Sequence, residues 1–202
     1  MSLELLRQTT RPAHRMLEQR LSERLETISI EDYRALLTRF FGFFRPLEAQ
    51  LTLLTGSGGA FFDFTPRLRA PLLVKDLVFL GLTEAAVAAL PVCHPLPALS
   101  SPADAFGALY VSEGSALGGQ VIARRLQARL GTRITHQNGL AFFYGDGPGV
   151  AARWNAFLQA LARQPAETSV PAAQTALRTF EALARWLFPE IPLQQGGINA
   201  LR

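Results

Sequence analysis

Arg7, Arg11, His14 and Glu18 follow one another at intervals of four, three and four residues. At about 100° per residue on a helix, they fall within roughly a 60° arc of one face. An imidazole placed this way can ligate a metal through one ring nitrogen. A carboxylate one turn on can accept the proton of the other nitrogen and fix the tautomer. Arginines on the same stripe suit bidentate capture of carboxylates. The same residues also read as an ordinary helix surface, with His14 at the edge of an apolar face and Glu18 a solvated carboxylate.

A second pattern lies about a hundred residues on. Gly114, Gly118 and Gly119 interrupt what otherwise reads as one long helix around Tyr110-Val111-Ser112-Glu113-Gly114-Ser115-Ala116-Leu117-Gly118-Gly119-Gln120. Each interior glycine costs roughly 1 kcal/mol relative to alanine, so something close to that backbone must offset the loss. One solution is helix packing, since Gly114 and Gly118 are four apart and present a small-residue face. The other is a kinked helix laid over a flat ligand with no side chains between. A phosphate loop is disfavoured, because neither the spacing with its lysine nor a preceding strand is present.

Helices must carry both patterns. Thr10 with Pro12 reads as the start of the first helix, which would leave Arg7 just ahead of it. Ser29 caps a second helix bearing Tyr33, Leu36, Leu37, Phe40, Phe41 and Phe44, with Pro46 kinking or ending it. Gly56 to Gly59 reads as a loop, Pro66 to about Leu80 as a third helix, and Thr83 as the cap of a short one. After the proline-rich stretch around Cys93 and His94, Ser101-Pro102-Ala103-Asp104 opens the glycine-bearing helix, which ends near Gly131. Asp146-Gly147-Pro148 opens a helix through Ala162, and Ala172 to Phe188 forms the last. Residues 189–202 read as a loose tail. No strand alternation or internal repeat is evident, so the expectation is a single all-α domain over residues 1–202.

With 202 residues, 49% hydrophobic and 18% charged, the chain is long enough for one well-buried core. A single cysteine excludes an intrachain disulfide framework. The +4 charge is almost entirely arginine, with Lys75 the sole lysine, and is spread without a dense basic run, which argues against nucleic acid. No apolar run approaches the roughly 18 residues of a membrane span, and no signal peptide is read, so a cytoplasmic protein without a membrane anchor is expected.

The segments Leu6-Arg7-Gln8-Thr9-Thr10-Arg11-Pro12-Ala13-His14-Arg15-Met16-Leu17-Glu18 and Ala108-Leu109-Tyr110-Val111-Ser112-Glu113-Gly114-Ser115-Ala116-Leu117-Gly118-Gly119 closely resemble the biliverdin-producing haem oxygenases, in particular the soluble bacterial ones. The resemblance extends in order over most of the chain and includes Leu140-Ala141-Phe142-Phe143. It implies a multihelical domain with haem b, both substrate and cofactor, held between the first helix and a kinked distal helix. It makes His14 the iron ligand and Glu18 the residue that orients it. Gly114, Gly118 and Gly119 become the distal backbone over the oxygen-binding face. Arg7, Arg11 and Tyr110 match residues near the propionates, and Arg153 is a weaker candidate for the same role. It further implies O2 and electrons from an external ferredoxin or flavoprotein reductase, and a bacteriophytochrome as a possible acceptor of the product. One departure stands out: Ser115 occupies the place of an aspartate in animal enzymes, and a hydroxyl can hold a water but supplies no carboxylate charge. A haem carrier that uses the fold without turnover is the alternative, since fold alone does not fix function.

Overall fold

Helix α1 (Leu3–Thr27) starts well before Thr10. Ser2 caps it, its hydroxyl accepting the Leu5 N–H at 3.2 Å. Thr10 is no cap: it is buried inside the helix and its hydroxyl donates to the Leu6 carbonyl at 2.7 Å. Pro12 therefore lies in the helix interior, where a proline costs about 3 kcal/mol in an isolated helix. Burial of Leu6, Leu17, Leu21 and Leu25, with α1 packed on the helix Ser169–Leu187, opposes that cost. One consequence reaches the site: Arg7 is helical and belongs fully to the His14 face.

The computed structural model describes residues 1–56 and 64–189. Within it α2 (Ile30–Gly56) begins with a reciprocal cap, the Asp32 N–H on Ser29 Oγ and the Ser29 N–H on Asp32 Oδ2. Pro46 lies inside α2 and does not end it. Leu36, Leu37, Phe40, Phe41, Phe43, Phe44 and Leu47 are all buried, because three later helices cover α2 on different sides. Of the expected loop at 56–59, Gly56 closes α2 and the rest lies outside the described residues, as does the expected tail beyond Pro189.

The helix expected from Pro66 to Leu80 is instead two pieces, a 3₁₀ turn at Thr65–Arg67 and α3 (Ala70–Phe79). Pro71 supplies the reason, since a proline fits the first turn of a helix and so marks its start. Next come α4 (Glu84–Ala88), capped by Thr83 as expected, and α5 (Pro102–Leu130), capped by Ser101. Gly131, at φ +90°, follows its end, in a conformation that suits glycine. The glycines do not interrupt α5. A short α6 (Ala141–Tyr144), α7 (Val150–Ala162) after a 3₁₀ turn at Gly147–Gly149, and α8 (Ser169–Leu187) complete the order. α8 starts a turn earlier than expected, with Pro171 accommodated in that first turn. Among the described residues the β-structure is confined to isolated bridges of Thr135 with Asn138 and Gly139. No described helix is long and apolar enough to cross a membrane.

α5 runs across the molecule and packs on α8, α7 and α6, while α1 lies against α8. The tightest crossing of α5 with α8 is at Gly107, where a Cβ would overlap the Ala172 carbonyl oxygen and stand 3.0 Å from the Ala176 nitrogen. This packing glycine is distinct from Gly114, Gly118 and Gly119 further along the same helix.

Candidate functional site

A cavity of about 290 Å³ opens between α1 and α5 and is closed behind by α2, α6 and α8. Its wall is mostly apolar: Leu17 and Leu21 of α1, Phe40 and Phe44 of α2, Phe142 and Phe143 of α6, and Phe180 and Leu183 of α8. His14 and Glu18 line it from α1; Gly114, Ser115, Leu117, Gly118 and Ile122 line it from α5. The two sequence patterns therefore meet in one cavity.

The His14 side chain is 45% exposed, with Nδ1 3.3 Å from Glu18 Oε2. That spacing favours the proton on Nδ1 and leaves Nε2 with its lone pair. The ring stands edge-on to Phe180, 5.5 Å between centroids, which limits its rotation. His14 also borders a second, polar groove of about 380 Å³, lined by Glu4, Arg7, Gln8, Thr10, Arg11 and Tyr110. An apolar slot and an arginine-bearing groove thus share one histidine. Tyr110 is held in the groove wall by its ring contact with Trp154, at 5.9 Å.

The three expected glycines divide into two roles. A Cβ on Gly118 would meet no atom within 4 Å, and one on Gly114 only the Trp154 ring at 3.8 Å. At these two positions α5 shows bare backbone to the cavity. Gly119 is buried, and its Cβ would overlap the Phe143 carbonyl oxygen. It lets α5 sit directly on α6.

Ser115 is engaged on both sides. Its hydroxyl donates to the Ser112 carbonyl at 2.8 Å and accepts from the Arg69 guanidinium at 2.7 Å. Arg153, named from the sequence, lies away from both cavity and groove. It pairs with Glu113 at 3.0 Å and Asp146 at 2.5 Å. The reason is Glu113, a carboxylate only 2% exposed, which also binds Arg67 at 2.8 Å and draws both guanidinium groups to the other side of α5.

Arg69, which no motif in the chain marks out, is 3% exposed and lines the cavity beside Ser115. Its guanidinium also donates to the Phe142 carbonyl at 2.9 Å and lies 4.1 Å from the Phe142 ring centroid. Burial pulls its pKa down to about 10, which leaves it charged at neutral pH. Two buried carboxylates fix the backbone around this cation, Glu48 at the start of α3 and Asp76 at the start of α6. Burial raises Glu48 to about 7, against the pull of the Arg69 and Ala70 N–H groups. Burial raises Asp76 to about 6, against the Phe142 and Ala141 N–H groups.

These shifts predict the pH dependence of the protein's stability. Both carboxylates hold their protons more tightly folded than unfolded, so between the ordinary carboxylate range and about pH 7 the native state binds more protons. Stability is fully present below the ordinary range and is lost as pH rises through about 6 and 7, on the order of 2 kcal/mol per group. Thermal melts from pH 4.5 to 8 should fall along this interval, and Glu48→Gln should flatten the upper part. A melting temperature that climbs over the same interval contradicts the assignment.

The sequence matches the Heme oxygenase family over residues 2–188, and the chain belongs to that family. A heme oxygenase of Xanthomonas campestris pv. campestris is 44% identical over 88 residues, a match covering 44% of this chain and 46% of that protein. The chain therefore aligns with less than half the length of this curated relative. Three solved structures share the fold at low identity. The heme oxygenase of Leptospira interrogans superposes with a TM-score of 0.74 at 17% identity, over 95% of this chain and 100% of that one. The NO- and CO-bound enzyme of Neisseria meningitidis gives 0.71 at 18% identity, over 95% and 92%. The heme-bound enzyme of the cyanobacterium Synechocystis gives 0.70 at 18%, over 91% and 89%.

Proposed function

We infer that this protein is a haem oxygenase that cleaves haem oxidatively to biliverdin, carbon monoxide and ferrous iron. The observation that carries the reading is the pairing of His14 with the bare backbone of Gly114 and Gly118 across one apolar cavity. Bound haem supplies the redox-active iron and is itself the ring that is oxidised.

The residues fit such a plate. His14, its proton held at Nδ1 by Glu18, would offer a neutral imidazole Nε2 to the haem iron. The leucines and phenylalanines exclude water from both faces. Arg7 and Arg11 in the adjoining groove, with the Tyr110 hydroxyl, would pair with the propionates and orient the ring. Gly114 and Gly118 let helix backbone approach the oxygen-binding face, where a side chain would block it. Ser115 and Arg69 are the hydrogen-bonding side chains of that face. Together they can hold water near the site of oxygen reaction, a role the serine alone cannot fill with charge. Electrons come from outside, since the sequence carries no flavin or nicotinamide fingerprint; a ferredoxin or flavoprotein reductase is the matching donor class.

Adding haemin to the purified protein, followed by a reductase system and O2, tests the reading in a spectrophotometer. A Soret band that forms and then decays into broad red absorption is the expected result. A Soret band that persists under turnover conditions identifies a carrier. No Soret shift at all overturns haem binding.

The groove yields its own prediction. Arg7→Glu with Arg11→Glu replaces two carboxylate-pairing donors with like charge and should weaken haem binding by at least about tenfold or alter the biliverdin isomer ratio. Haemin titration and chromatography of the product measure both. Unchanged affinity and unchanged isomers would leave these arginines in solvent.

A further inference from the structure

Arg69 sits at the N-terminus of α3, and two buried carboxylates, one from α2 and one from α3 itself, fix the groups that hold it. Glu48 of α2, 4% exposed, accepts the Arg69 backbone N–H at 2.6 Å and the Ala70 N–H at 3.1 Å. It performs the capping that a serine or aspartate at position 69 could perform by itself. Asp76 of α3, fully buried, accepts the N–H groups of Ala141 at 2.9 Å and Phe142 at 2.8 Å. Asp76 therefore fixes the first turn of α6, and with it both the Phe142 carbonyl that receives the Arg69 guanidinium and the Phe142 ring on which that guanidinium lies.

Burying three ionisable side chains is a costly way to start two short helices. The arrangement has one product that simple capping would not deliver: a guanidinium fixed at its root by Glu48 and at its tip by Phe142. It bonds Ser115 and borders the cavity beside Gly114 and Gly118. Ser112, Ser115 and Phe142 accept or donate in ways that leave the fork one orientation, so its remaining N–H groups have a set direction.

Resting on the reading of the cavity as a haem site, we propose that Glu48 and Asp76 are positioning residues for the reaction, acting through Arg69 as a preorganised donor at the oxygen-binding face. The reach of their effect is electrostatic and geometric rather than merely structural. Loss of either carboxylate leaves Arg69 present and loosens its aim.

The test uses haem-loaded protein carrying Glu48→Gln, Asp76→Asn or Arg69→Lys, each close to its original in size. The readouts are the C–O stretching frequency of the ferrous carbon monoxide complex, turnover, haem affinity and the apoprotein melting temperature. All three variants should move the C–O stretch in the same direction and lower turnover by roughly tenfold to a hundredfold, as expected for a misplaced donor. Haem affinity should stay within about twofold, because no contact with His14 or the groove is lost. The double variant Glu48→Gln with Arg69→Lys should lose little beyond Arg69→Lys alone, the signature of groups acting through one another. If Glu48→Gln does not fold, Asp76→Asn and Arg69→Lys carry the same comparison. Variants that melt at lower temperature yet keep the wild-type C–O stretch and turnover reduce Glu48 and Asp76 to helix caps and overturn the proposal. A wild-type chain that takes up no haem overturns the functional reading beneath it, and is distinguished because every variant is then equally silent.

Discussion

His14→Ala is expected to abolish the spectrum of a histidine-ligated haem and nearly all turnover, while the apoprotein melts within a few degrees of wild type. The separation follows from the surroundings of the side chain. Nearly half exposed, it touches Glu18 at 3.3 Å and the edge of Phe180, so little buried surface is lost with it. Alanine is also the better helix former, which offsets part of that loss. Added imidazole should enter the vacated space and restore the Soret band in part, a rescue that a structural histidine would not show. Wild-type spectrum and turnover in the purified variant would remove His14 from the iron. A collapse of apo stability would recast it as a packing residue.

Gly118→Leu and Gly119→Ala should act in opposite senses, although the two glycines are neighbours. At Gly118 the new side chain has open space and projects into the cavity. Helix propensity alone should stabilise the apoprotein by about 0.5 to 1 kcal/mol. Turnover should fall at least about tenfold, because the leucine occupies the space that oxygen chemistry requires. Gly119→Ala meets the Phe143 carbonyl, a backbone atom that cannot swing aside, and should cost the apoprotein about 1 to 3 kcal/mol. Thermal melts and biliverdin yield, measured on the same preparations, decide the matter. A destabilised Gly118→Leu with normal biliverdin yield would return that glycine to helix packing.

Much of this site was legible in the chain itself. His14 and Glu18 announce themselves because their relation is local, one helical turn apart, and local spacing survives any detail of tertiary packing. The meeting of His14 with Gly114 and Gly118 rested on the family resemblance, since spacing alone left helix packing open. The start of α1 was misread for a physical reason: Thr10 and Pro12 carry the local chemistry of a helix start, and only the burial of Leu6 against the rest of the protein overrides it. Arg69 was invisible because what gives it meaning lies far away in sequence, in Glu48, Ser115 and Phe142. Arg153 reads as a candidate, though a weaker one, for the converse reason, as nothing near it in sequence reveals that Glu113 is buried and in need of cations. Gly107 passed unnoticed because a packing glycine is recognisable only by what it touches, and α8 is far along the chain.

The bare stretch of α5 also limits how the cavity can be redesigned. At Gly114 and Gly118 there is no side chain left to truncate, so every substitution at these two positions narrows the space. Room for a bulkier tetrapyrrole must therefore come from the side chains around these two glycines, by trimming Leu17, Leu21, Leu117, Ile122, Phe180 or Leu183, each of which has carbon to give up. Acceptance of altered rings is thus a property to be tuned from those side chains, with the backbone at Gly114 and Gly118 as the fixed reference surface.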